Sequence, residues 1–317
     1  MSKKKVALIT SSLIFVSILS FTSFQLGLNL LVQLFITGTM LSGLYILVAS
    51  GLSLTFGVMK IINVAHGELL VFSAYLAYWL NVFYGLDPLL SAPLVAALLF
   101  PLGIGIQRFL FNPALRVGVD QPLLISFGLV AVLQSIMMLL WTADPRGIRI
   151  LTQPILVPST NIIIPYARAV VFAVGLAMAC ILKIFLTQTF TGKCIRATAQ
   201  DMVAASLMGL NVDRINVIAF SLGIVLTAIA GTFASLVYSF DPTIGLHFYL
   251  LKAFAVIILG GVGSIEGMVL GSFLMGQIEA FSSYYLGDNI RDAVGYIILL
   301  VFLILKPTGL LAKVRTW

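Results

Sequence analysis

The sequence predicts an all-α fold, a polytopic helical membrane protein, and three observations carry that prediction. Of 317 residues, 61% are hydrophobic and 9% charged, where a soluble domain carries about 25% charged residues. Mean hydropathy is +1.13. Apolar runs long enough to cross a hydrocarbon core of about 30 Å, roughly 20 helical residues each, recur along the whole chain. The runs are continuous, whereas barrel strands would alternate over about 10 residues, and a helix satisfies its own backbone hydrogen bonds in lipid. Residues 1–317 read as a single transmembrane domain.

Polar breaks delimit about eight full spans, near residues 6–25, 30–57, 68–84, 89–107, 123–141, 168–187, 215–238 and 292–305. The first follows Lys3, Lys4 and Lys5 and exits through "SFTSFQLG", which has no clear A-x-A-like cleavage site, so it reads as an uncleaved anchor. A further apolar region, 251–283, is interrupted by "GGVGSIEG". With the amino terminus cytoplasmic, 13 of the 18 basic residues fall inside, and Arg146, Arg149, Arg168, Lys252 and Arg291 fall outside. The carboxyl terminus is then cytoplasmic too, provided 251–283 enters and returns on one side as a re-entrant or broken-helix hairpin. Aligning "AHGELLVFSAYLA" with "GSIEGMVLGSFLM" hints at an inverted repeat.

Between the second and third runs stands "INVAHGELL". Two readings of it stand side by side. In the first it is an interfacial turn: Lys60 snorkels, Asn63 caps, Gly67 bends the backbone and Glu68 opens the next helix near its positive dipole end. In the second it enters the bundle, and Asn63, His66, Gly67 and Glu68 line a gate or pathway, because irregular backbone is tolerated at depth only against protein or a wet cavity. The glycines of "ILGGVGSIEGMVLGSF", Gly260, Gly261, Gly263 and Gly267, offer a similar break with Glu266 beside them, or else serve helix packing through a G-x-x-x-G pair.

The extramembrane parts exclude several chemistries. There is no G-x-x-x-x-G-K-[ST]; "TGKC" at Thr191 to Cys194 lacks both the earlier glycine and the hydroxyl, so the chain has no P-loop for ATP. H-E-x-x-H, G-x-S-x-G and C-x-x-C are missing too. Cys180 in an apolar run and Cys194 in a loop indicate neither a disulfide nor a metal site. Nothing suggests a nucleic-acid partner.

The longest predicted cytoplasmic loop is residues 187–216. Good helix formers fill Ala197 to Met208, and Gly209 stops the helix. Val203, Leu207 and Met208 form an apolar side with nothing of its own to cover it, while Arg196, Asp201 and Arg214 stay solvated. Such a helix lies on the bilayer surface or docks in a groove on a cytoplasmic partner. On the opposite side, residues 143–168 present a Pro- and Arg-rich outward surface, either an ordinary loop or a docking site for an external partner.

Here a resemblance becomes specific. "RATAQDMVAASLMGLNVDRINVIAFSLGIVLTAIAGTF" and "GLSLTFGVMKIINVAHGELLVFSAYLAYWL" resemble blocks of the LivH/LivM class of branched-chain amino acid ABC transporter permeases, closer to LivH. "LLISFGLVAVLQS", "GGVGSIEGMVLGSFLMGQIE" and "LKPTGLL" follow in the family's order, over residues 30–311. The resemblance implies a multi-pass cell-membrane permease that imports small amino acids by alternating access. It implies a second, LivM-like permease subunit in a heterodimer, two cytoplasmic ATP-binding subunits and an extracytoplasmic substrate-binding protein; ATP binds to the partners and no cofactor to this chain. It places Ala204, Ala205 and Gly209 at the small-residue and turn positions of the ATPase-coupling segment, with Arg196, Asp201 and Leu207 beside them. Glu266 stands where the family often has proline. Competing readings are an ion-coupled carrier using Glu68, Glu266 or Glu279, a permease for urea or amides, and a membrane enzyme, for which no catalytic constellation exists.

Overall fold

The computed structural model describes residues 27–118, 120–150, 153–157, 162–306 and 309–311. The predicted span 6–25 and the basic carboxyl-terminal tail lie outside the described residues. A long central helix, α1 (Leu28–Met59), organises the bundle. It is apolar on all sides, as a helix surrounded by other helices must be, and it is buried continuously from Leu41 to Thr55.

Small residues let its neighbours approach. A Cβ on Gly43 would stand 2.2 Å from the Phe172 backbone of α6 (Tyr166–Gln188). One on Gly51 would meet Thr227 of α9 (Val212–Ala234), and one on Gly276 of α11 (Ile265–Leu286) would stand 2.4 Å from the Gly38 carbonyl. Helices in lipid gain little from apolar burial alone, so this close contact is what holds them.

Around α1 run α2 (His66–Tyr84), α3 (Pro88–Ile106), which continues through a π turn (Gln107–Phe111) into α4 (Asn112–Val117), and α5 (Gln121–Trp141). A π turn (Gly245–Leu250) leads into α10 (Leu251–Gly260), and α12 (Asp288–Leu305) follows α11. The protein is a polytopic helical membrane protein. By length and composition, five helical segments among the described residues can cross a bilayer, and the pair 245–260 and 265–286, bent by 117°, is a broken span or a re-entrant loop. Large apolar side chains such as Leu98, Leu139 and Ile304 lie exposed on the outer helices, the arrangement of a surface wetted by lipid.

The structure amends three expectations. The span predicted to reach residue 238 ends at Ala234. The loop between α5 and α6 contains a two-stranded antiparallel hairpin, β1 (Pro154–Val157) with β2 (Ile162–Pro165), so the fold is not wholly α. Gln33 clamps that hairpin to α1, its amide donating to the Ile163 carbonyl and accepting from the Ile163 N–H, both at 2.8 Å. The helix predicted over 197–208 is two, α7 (Phe190–Gln200) and α8 (Met202–Leu207), because the Asp201 carboxylate turns back to accept from Val203 and Ala204 N–H and starts a new helix.

Candidate functional site: two helix starts inside the bundle

At the end of α1 the chain reverses at Lys60, whose φ of 55° is left-handed. It does not stay at that level. Residues 61–65 climb back beside α1 without helix, and the Asn63 carboxamide accepts from Ala65 N–H at 3.1 Å to shape the turn. His66 Nε2 then lies 3.0 Å from the Val48 carbonyl. Val48 precedes Met59 by 11 residues, about 16 Å of helix, so α2 begins deep in the bundle. A carbonyl only accepts, so Nε2 carries the proton and Nδ1 faces the Thr227 hydroxyl at 3.3 Å. Asn63, His66 and Glu68 are all buried. The segment therefore enters the bundle and is not an interfacial turn.

Glu68 points at a second helix start. Its Oε1 accepts from the Leu246 backbone N–H at 3.0 Å and from the Gln134 amide of α5 at 2.9 Å. Its Oε2 is buried with no partner among the described residues. The π turn that supplies Leu246 starts at Gly245, and a Cβ on Gly67 would sit 2.1 Å from the Gly245 carbonyl. Glycine at both positions is what lets the two backbones touch. From this meeting point α2 runs toward the end that holds Gln33, and the π turn with α10 runs toward the end that holds Lys60. Two helix amino termini, with their exposed N–H groups and positive dipole ends, thus converge on one carboxylate.

Beyond Glu68, toward the Gln33 end, aromatic rings close the space. Tyr75 stacks on Trp141 at 4.6 Å and meets Phe240 edge-on at 4.9 Å. Arg146 lies over Tyr78 and Trp79 at 5.5 and 5.0 Å, and its backbone pairs with Phe240 in both directions. The hydroxyl of Tyr75 and the indole N–H of Trp79 are buried without partners among the described residues.

The second glycine cluster is elsewhere. Gly260, Gly261 and Gly263 lie at the Lys60 end, where Gly263 packs on Gly57 of α1 and Gly261 on Gly309, with Gly261 and Gly263 at positive φ. Glu266 lies on the outside of the bundle in an ion pair with Lys183 at 3.0 Å, its side chain 55% exposed. The structure therefore does not bring these residues to Asn63, His66, Gly67 and Glu68. The break that does reach them, at Gly245, was missed by sequence reasoning. Its signal was the "DPTIG" that follows a span, together with a glutamine, Gln134, inside another.

The loop expectation is refined too. At the Lys60 end, α8 exposes Val203 (70%), Leu207 (83%) and Met208 (84%). Arg196 and Ala204 are also exposed, and Gly209 at φ 85° ends the arm. Ala205 faces inward and is buried against the protein itself, not available to a partner.

A further site was hidden by the charge count, which placed Lys252 on an outer surface. Lys252 is 1% exposed. Its Nζ donates to Glu279 at 2.7 Å, to Asp292 at 2.9 Å and to the Tyr45 hydroxyl at 3.1 Å, and it lies 4.1 Å from the centre of the Phe248 ring. The Tyr45 hydroxyl in turn donates to the other Glu279 oxygen. This cluster ties α1, α10, α11 and α12 together.

Residues 34–305 match the family described as branched-chain amino acid transport system / permease component. The chain is 30% identical over 299 residues to the high-affinity branched-chain amino acid transport system permease protein BraD of Pseudomonas aeruginosa, covering 89% of this chain and 95% of that one. It is 31% identical over 301 residues to the LivH permease protein of Salmonella typhimurium, covering 90% and 96%. An autoinducer 2 import system permease protein, LsrC of Yersinia pseudotuberculosis, is 30% identical over 199 residues, which is 59% of this chain and 54% of that one. No solved structure matches. Helical architecture, membrane-depth helix breaks and matches spanning nearly the whole chain agree: the protein belongs to the family of branched-chain amino acid transport permease components.

Proposed function

We propose that this chain is the membrane-spanning permease subunit of a binding-protein-dependent ABC importer that moves branched-chain amino acids through the cell membrane. It is not an enzyme; ATP hydrolysis belongs to partner subunits. The observation that carries the reading is the arm formed by α7 and α8. It stands out from the Lys60 end with Val203, Leu207 and Met208 uncovered, which is the anchor pattern of a helix that seats in a groove on a partner. A carrier driven by an ion gradient needs no such arm.

In this reading the Lys60 end is cytoplasmic and the arm couples to an ATP-binding subunit through Arg196, Asp201, Ala204, Leu207 and Gly209, while Ala205 seats the arm on the bundle. The run 6–25, α1, α2, α3, α5, α6, α9 and α12 make eight spans, α10 and α11 form the hairpin, and both termini are cytoplasmic. A related LivM-like permease completes a heterodimer, and the side that carries the β1–β2 strands receives the binding protein. Asn63, His66, Gly67 and Glu68 form the gate, with Gly245 opposite. Gly260, Gly261 and Gly263 form the hinge between α10 and α11, and Glu266 steadies its outer side. The relatives' names specify branched-chain amino acids, and an apolar path suits side chains that need no hydrogen-bond partner.

The test is reconstitution of the permease pair, ATP-binding subunits and binding protein in vesicles. Uptake of leucine, isoleucine or valine that requires ATP and survives collapse of ion gradients supports the proposal. Uptake by this chain alone, driven by an ion gradient and indifferent to ATP, refutes it, and transport of urea in place of leucine refutes the substrate assignment.

A further inference from the structure

Between the outer ends of α1, α6, α11 and α12 lies a cavity of about 480 Å³, separate from Glu68 and its helix starts. Its polar wall holds two guanidiniums, Arg168 and Arg291, and two carboxylates, Glu279 and Asp288. Its apolar wall is Leu34 and Leu41 of α1 with Ala280 of α11.

The four charged groups sum to zero, so a ligand with net charge would leave the cavity unbalanced, whereas a zwitterion would not. Their existing contacts leave capacity. Arg291 reaches Asp288 only at 3.6 Å and Asp292 at 3.4 Å, and its Nε is buried without a hydrogen-bond partner among the described residues. Arg168 makes no ion pair among the described residues. Glu279 is held rigidly by Lys252 and the Tyr45 hydroxyl, one donor to each oxygen, and a carboxylate offers about four acceptor positions. The buried lysine thus fixes one carboxylate of the cavity wall and orients it. A planar guanidinium matches a carboxylate in two-point geometry, and a fixed carboxylate matches an ammonium; the second carboxylate, Asp288, is exposed and accepts from the Ser283 hydroxyl. The volume falls within the range of small-ligand pockets, about 300–1,000 Å³.

We infer that this cavity is an outer subsite for a zwitterionic, aliphatic α-amino acid: Arg168 and Arg291 take the α-carboxylate, Glu279 and Asp288 take the α-ammonium, and Leu34, Leu41 and Ala280 line the side chain. The inference rests on the importer reading, and it adds a place where substrate released on the outer side is held before the gate.

The test uses the whole complex in vesicles, with Cys180 and Cys194 replaced by serine and Thr37, which lines the cavity, changed to cysteine. Leucine is expected to slow modification of that cysteine by a methanethiosulfonate reagent at least five-fold. 4-Methylpentanoate, which lacks the ammonium, and 3-methylbutylamine, which lacks the carboxylate, should not protect. Adding Arg168→Gln should abolish protection and raise the KM for leucine uptake at least ten-fold while maximal uptake stays within two-fold. A complex that takes up leucine with ATP but shows no protection, or equal protection by all three compounds, overturns the subsite and leaves the importer reading standing. A complex that takes up no branched-chain amino acid overturns both.

Discussion

Lys252→Met tests whether the buried cluster holds the second half of the bundle together. Lys252 and Glu279 are each 1% exposed as side chains, and Lys252 makes three hydrogen bonds, to Glu279, Asp292 and Tyr45. Replacing the lysine with an apolar chain of similar length preserves volume and removes the charge. Glu279 would then sit in the bundle with only the Tyr45 hydroxyl as donor. Removing one partner of a buried ion pair costs about 3–5 kcal/mol, because the remaining charge is uncompensated. At about 2 °C per kcal/mol for a chain of this size, the melting temperature should fall by roughly 6–10 °C. The assay is thermal aggregation of the purified protein in detergent, read by fluorescence-detected size exclusion. Neutralising the carboxylates as well, as Lys252→Met with Glu279→Gln and Asp292→Asn, should recover at least half of the loss. A single variant that melts within 2 °C of the parent, or a triple variant worse than the single one, would refute the argument.

Other outcomes follow from the same geometry. Gly67→Ala puts a methyl 2.1 Å from the Gly245 carbonyl, a backbone contact that cannot yield, so the variant should insert poorly and run as aggregate in size exclusion. Leu207→Asp, on a side chain 83% exposed, should leave melting within about 1 °C while uptake per ATP hydrolysed falls at least five-fold; unchanged coupling would remove the arm from the ATPase interface. Glu266→Gln breaks an exposed ion pair worth about 0–1 kcal/mol, so stability and uptake should both stay near the parent's, and lost uptake would return Glu266 to the pathway. Glu68→Gln keeps an Oε1 that can accept from Gln134 and Leu246, so assembly should be normal while uptake drops at least ten-fold; lost assembly would make Glu68 a purely structural cap.

The membrane-spanning runs were legible because a helix in lipid must be long and apolar, and α1, α3, α5, α6 and α9 meet that rule. Where a helix does not cross from edge to edge the rule is silent. The start of α2 was visible as a polar island, but a polar island looks the same in an interfacial turn as inside a bundle, and only the contact of His66 with Val48 separates the two. Lys252 was misplaced for a related reason. Charge counting assumes that a lysine near a span end faces water, and it has no means to see Glu279 and Asp292, 27 and 40 residues away, folding back onto it. The arm at 187–216 was legible in outline because an apolar face on a short exposed helix has few uses; the turn at Asp201 was hidden because aspartate is compatible with a helix interior and favoured at its start.

The start at His66 meets the start at Gly245, and the two helices run from there to opposite ends. Placing a carboxylate where they meet costs about 2.5–3.5 kcal/mol by insertion scales. Two hydrogen bonds to the charged group, at about 1.5–3 kcal/mol each, and two helix amino termini, at about 0.3–1 kcal/mol each, offset it. Glu68 is therefore tolerable at depth with one oxygen accepting two bonds and Oε2 without a partner among the described residues. The donors to its Oε1 come from α5 and from the π turn, so movement of either element would change the hydrogen bonding of this carboxylate. The arm reaches this point through α9, which begins beside α8 and carries Thr227 against His66, so displacement of the arm has a continuous helical path to the start of α2.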